Sequence, residues 1–158
     1  MQQGTKQVAQ IEVVGRWPKE FGKREAVQVA EETLSLLGRL RNGVSLSVSL
    51  VSEAEIQRLN RDYRGQNKIT DVLSFGMLEG GGFPGSNMVG SEDLGDIIIC
   101  LKRVKKQSEE IDRPLATELA LMVAHGTLHL LGFDHCEAEE EKEMFALQQE
   151  VLMRLSYL

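Results

Sequence analysis

At 158 residues and 42% hydrophobic composition, the chain fits one domain built on a single apolar core. Two cysteines, Cys100 and Cys136, exclude a disulfide framework, and the opening Met1-Gln2-Gln3-Gly4 has no charged-then-apolar leader, so a reducing cytoplasm is expected. A net charge of −6 stands against a nucleic-acid substrate, because binding one normally needs a positive surface to neutralise phosphates, and polar residues interrupt even the richest apolar stretch, 115–133, so a soluble protein without a membrane partner is expected.

Residues 8–14 alternate weakly and predict a first strand; residues 19–40 have helical periodicity that ends near Gly38 or Gly43. Residues 44–51 alternate apolar side chains with serine, the pattern of a half-exposed strand. Ser52 then caps a short helix over 53–63, with Glu55 three residues on to complete a capping box. Strands follow over 70–77 and 96–101, joined through Gly80-Gly81-Gly82-Phe83-Pro84-Gly85-Ser86. That run lacks the lysine and helix start of a phosphate-binding loop and reads as a hairpin connection. Cys100 ends the Ile97-Ile98-Ile99 run, the setting of a buried, inert thiol. Helices are predicted over 102–110, 113–131 and 137–155, with Pro114 in a first turn. Residues 1–158 thus read as one α+β domain: a small mixed β-sheet of about four strands packed with helices, the helix over 113–131 central and buried.

Charge is unevenly placed. Glu137, Glu139, Glu140, Glu141 and Glu143 gather early in the last helix, where acidic side chains favour the helix N-terminus. Basic residues gather at Arg58, Arg61, Arg64 and Lys68, and at Lys102, Arg103, Lys105 and Lys106. Taken alone, either basic cluster is an ordinary solvated helix face.

All three histidines fall in His125-Gly126-Thr127-Leu128-His129-Leu130-Leu131-Gly132-Phe133-Asp134-His135. Residues four apart share a helix face, so His125 and His129 can aim at one point. Gly132 can end the helix in a left-handed turn and let the chain bring His135 to the same point. Three imidazoles and an open position are the donor set of catalytic zinc, with nickel or another divalent ion as the alternative occupant. Cys136, next to His135, is disfavoured as a fourth ligand because adjacent residues in a turn point apart. The spacing matches the extended zincin pattern, but Gly126 stands where zincin proteases carry their general-base glutamate, which disfavours a protease.

The run HGTLHLLGFDH, together with Leu59-Asn60-Arg61-Asp62-Tyr63-Arg64, Thr70-Asp71-Val72-Leu73-Ser74-Phe75 and Gly95-Asp96-Ile97 in that order, resembles the signature of the YbeY family of bacterial zinc-dependent endoribonucleases. The similarity spans most of the chain from Ser52 onward; Gly76 stands where many members carry proline. The resemblance implies a single-strand-specific endoribonuclease that acts in ribosomal RNA maturation, at the 16S rRNA 3′ end, and in ribosome quality control. It implies one Zn²⁺ held by His125, His129 and His135, and a ribosome or small subunit as partner. It also singles out Arg64 as the phosphate clamp, since guanidinium offers a bidentate fork to two phosphate oxygens. By the same resemblance the 70–75 strand borders the cleft. There Asp71 orients Arg64 or an imidazole, or else simply shapes a turn, and Asp134 has the same two alternatives.

Such a site would activate zinc-bound water or polarise a phosphoryl oxygen. The proton acceptor stays open between a zinc hydroxide serving as its own base and a substrate 2′-hydroxyl acting as nucleophile. Two rivals share these residues: a metallohydrolase of another substrate class, and a non-catalytic ribosome-associated zinc protein in which loss of a ligand unfolds the chain.

Overall fold

The computed structural model describes residues 9–77, 92–134 and 137–158. In chain order these form β1 (Ala9–Val14), α1 (Lys23–Leu36), β2 (Val44–Val51), α2 (Glu53–Arg64), β3 (Val72–Gly76), β4 (Glu92–Cys100), α3 (Leu101–Glu110), α4 (Leu115–Leu130) and α5 (Ala138–Arg154). The sheet order is β1-β2-β4-β3; β1, β2 and β4 run parallel and β3 pairs antiparallel with β4. This is the expected α+β arrangement with a four-stranded mixed sheet.

Strand alternation sorts the two faces. Val44, Leu46 and Val48 of β2 and Ile97 and Ile99 of β4 are buried against Val29, Ala30 and Leu34 of α1 and Leu119, Ala120 and Val123 of α4. Ser45, Ser47 and Ser49 lie on the other face and are half-buried, as their spacing predicted. On that face Leu59 and Tyr63 of α2 line a shallow groove with Asp96 and Ile98. Eleven of the sixteen residues of α4 are buried, because it lies against α1, α3, α5 and the sheet at once. An almost uniformly apolar helix is stable only in such a surrounded position.

The boundaries differ from the sequence reading at several points, each with a local cause. β4 begins at Glu92, four residues before the predicted start, because Glu92 and Asp93 pair with Val44 and Ser45 although their side chains break the apolar pattern. Gly95 marks the β2–β4 register shift: its φ is +123°, and a Cβ there would lie 2.1 Å from the Phe75 carbonyl oxygen. β3 is shorter than predicted, since Thr70 and Asp71 precede it. α1 starts at Lys23, where Glu25 Oε1 accepts a hydrogen bond from the Gly22 amide at 2.9 Å. Ser52 accepts from the Glu55 amide at 3.1 Å, but the Glu55 carboxylate binds Arg58, so only half of the predicted capping box forms. Pro114 sits at the N-cap of α4 with ψ of 140°, one position before the first turn. Cys100 is fully buried at the end of β4, as expected. The glycine connection at 80–86 lies outside the described residues.

Candidate active-site cleft

Among the described residues β3 lies at the edge of the sheet, and it packs beside α4. Between them lies a cleft of about 570 Å³ whose lining includes Arg64, Asp71, Ser74, His125, His129 and Asp134. Three elements and the turn after α4 therefore bring most of the sequence-nominated residues together. His135 and Cys136 lie outside the described residues.

His125 and His129 stand one turn apart near the C-terminal end of α4, both half-buried. Their rings meet edge to face at 74° with centroids 4.6 Å apart, and the two Nε2 atoms are separated by 3.1 Å. Two bare nitrogen lone pairs at that distance repel, so either a hydrogen on one of them or a shared cation must lie between. Metal–nitrogen bonds of about 2.0–2.1 Å in tetrahedral geometry place neighbouring ligand nitrogens about 3.3 Å apart, so this pair fits a common metal with little adjustment. His125 Nδ1 lies 2.7 Å from Oε1 of Gln148 on α5. Beyond α4, Gly132 takes φ of +100°, the left-handed turn expected of it, and turns the chain toward Phe133 and Asp134 at the cleft.

Gly126 has a packing reason of its own. A Cβ at this position would lie 2.6 Å from Ile97 Cγ2 and 3.0 Å from Cγ1, because α4 is seated directly on β4. The residue after the first histidine therefore faces the sheet and not the cleft. A glutamate there would be driven into the core against Ile97.

Arg64 is the last residue of α2, ahead of the left-handed cap at Gly65. Its guanidinium donates to the Ser74 carbonyl and lies 5.1 Å from the Phe75 ring centroid. Arg58 and Arg61, on the same helix, are paired with carboxylates. Arg58 binds Glu55 at 2.8 Å and Asp62 at 3.5 Å, and Arg61 binds Asp62 at 3.0 Å. The Arg58 hydrogen bond lowers the Glu55 pKa, and Glu55 in turn raises that of Arg58. In the second basic cluster, Lys102 pairs with Glu53 at 3.3 Å. Both clusters are thus largely helix faces, and Arg64 is the member turned toward the cleft.

Asp71 lines the cleft and also makes turn contacts. Its Oδ1 accepts from the Val72 amide at 2.8 Å and from Thr70 Oγ1 at 3.3 Å, which starts β3. Asp134 is exposed at the cleft. Gln148 was not singled out from the sequence. The available signal was its place in the buried stripe of α5, with Met144, Val151 and Leu152.

Comparison with known proteins identifies the family of the chain. A family model described as Endoribonuclease YbeY matches residues 15–156. The Endoribonuclease YbeY of Bacillus licheniformis is 45% identical over 116 residues, covering 72% of this chain and 73% of the relative. That of Bacillus cereus is 42% identical over 136 residues, covering 82% and 86%. Among solved structures, the solution structure of a Thermotoga maritima protein superposes with a TM-score of 0.58 at 31% identity, covering 90% of this chain and 86% of the other. With the family model matching nearly its whole length, the chain belongs to the YbeY endoribonuclease family.

Proposed function

We propose that this protein is a zinc-dependent endoribonuclease that cleaves single-stranded RNA during ribosomal RNA maturation in the cytoplasm, at the 16S rRNA 3′ end, with a role in ribosome quality control. The observation that carries the reading is the pair of Nε2 atoms 3.1 Å apart in the cleft that also holds Arg64. The Endoribonuclease name of the relatives supplies the substrate class.

His125 and His129, with His135 as the third donor, would hold the metal. When bound, zinc supplies a Lewis acid that polarises a phosphoryl oxygen and acidifies water. The chain supplies the rest. Arg64 binds two phosphate oxygens through its planar fork and stabilises the charge that builds up in the transition state. The Ser74 carbonyl and the Phe75 ring hold the guanidinium against β3, so less side-chain freedom is lost when substrate arrives. β3 borders the cleft, and an extended single strand can lie along it where the wide form of a duplex fits poorly.

Electrostatics favour an RNA already held by a larger particle. With a net charge of −6 and Arg58 and Arg61 bound to carboxylates, the chain has little capacity to gather free RNA by counterion release. A precursor presented on the small ribosomal subunit removes that requirement.

The test is one zinc-loaded preparation offered single-stranded precursor RNA, duplex RNA and casein. Cleavage of the single-stranded RNA with duplex and casein spared is expected. Zinc-dependent turnover of casein with RNA left intact would overturn the proposal.

A further inference from the structure

The C-terminal helix reaches the histidine pair through one side chain. The buried residues of α5 are Met144, Gln148, Val151 and Leu152, a helical stripe in which Gln148 takes an apolar position. A buried amide left unpaired is destabilising, and leucine would fill a similar volume without that cost. The amide therefore needs a partner, and its Oε1 lies 2.7 Å from His125 Nδ1. An amide oxygen only accepts, so the ring nitrogen facing it carries the hydrogen. A neutral imidazole has a single N–H, which leaves Nε2 as the bare lone pair, and that atom faces His129 Nε2 at 3.1 Å.

We infer that Gln148 is a positioning residue for the metal site: it fixes the tautomer and ring plane of His125 from the C-terminal helix and so sets the affinity of the cleft for a divalent cation. The inference rests on the metal reading made above and adds to it the residue that tunes the site. The choice of amide over carboxylate has a consequence. A glutamate would hold the same N–H with a full negative charge, making the imidazole a stronger donor and the site a tighter one. Glutamine supplies the orientation while adding no charge beside the cation.

The experiment compares metal-stripped wild type, Gln148→Leu, Gln148→Glu and His125→Ala. Each is titrated with zinc against a chromophoric chelator, and its thermal midpoint is measured in excess chelator. Gln148→Leu is expected to keep or raise the metal-free midpoint, since the core gains an apolar side chain, while its zinc affinity falls about 10–100-fold. Gln148→Glu is expected to bind zinc at least as tightly as wild type. Wild-type affinity in Gln148→Leu, or an equal loss in both Gln148 variants, overturns the inference and reduces Gln148 to a packing residue. Failure of the metal reading has a different signature: wild type binds no zinc, or His125→Ala binds it as well as wild type does.

Discussion

Gly126→Ala tests whether the helix carrying His125 and His129 is held against the sheet as closely as described. In an ordinary helix this change is favourable by about 1 kcal/mol, because alanine loses less backbone entropy than glycine. Here the new methyl would lie 2.6 Å from Ile97 Cγ2, roughly 1 Å inside normal carbon–carbon contact. Ile97 is fully buried and branched at Cβ, so neither γ-carbon can swing clear, and α4 must lift instead. Overpacking of this kind costs about 1–3 kcal/mol, which offsets the propensity gain and leaves a net loss of up to about 2 kcal/mol. Removing the obstacle should reverse the sign. In an Ile97→Ala background, itself about 2–5 kcal/mol less stable, the added methyl fills part of the cavity, and Gly126→Ala should become stabilising by about 1 kcal/mol. Urea unfolding of the four proteins gives the coupling, expected at about 1–3 kcal/mol. Stability at or above wild type in the single Gly126→Ala variant, with no coupling to Ile97, would refute the packing explanation for the missing glutamate.

Arg64→Lys keeps the charge and loses the planar fork, so folding and zinc content should hold while RNA cleavage slows about tenfold or more; wild-type kinetics would remove Arg64 from the chemistry. Gly95→Ala combines a strained φ with a collision at the Phe75 carbonyl, so β3 should detach from β4, read as lost hydrogen-exchange protection at the Val72–Gly76 amides. Unchanged protection there would contradict the register. Burial raises the Tyr157 pKa, with the Glu25 carboxylate adding to the effect. A raised folded-state pKa means this contribution is complete below about pH 10 and is lost as pH climbs through the folded value. Tyr157→Phe should therefore flatten the stability profile above about pH 10, and a profile identical to wild type would show that the phenol titrates alike in both states.

The features readable in advance were those written at short range. A four-residue spacing puts His125 and His129 on one helix face whatever surrounds the helix, and serine alternation in β2 announces its half-buried side. What escaped depends on partners distant in sequence. The Gln148–His125 hydrogen bond joins residues 23 apart on different helices, and only a polar residue within an apolar stripe hinted at it. The reason for glycine at 126 lies in Ile97 on β4, which no spacing encodes. The early start of β4 was hidden because Glu92 and Asp93 break the apolar pattern while their backbones pair with β2. Asp71 shows the same limit: its spacing allows a turn or a cleft role, and its hydrogen bond to the Val72 amide depends on local backbone geometry that the residue type alone does not encode.

The central claim is that a metal held by the histidine cluster carries RNA cleavage. The most direct measurement is zinc content and cleavage of single-stranded precursor RNA on the same samples of wild type and His129→Ala, with far-UV circular dichroism to establish that both are folded. Near one equivalent of zinc and active cleavage in wild type, with both lost in a folded His129→Ala, is the expected result. Undiminished cleavage by a metal-free His129→Ala would contradict it.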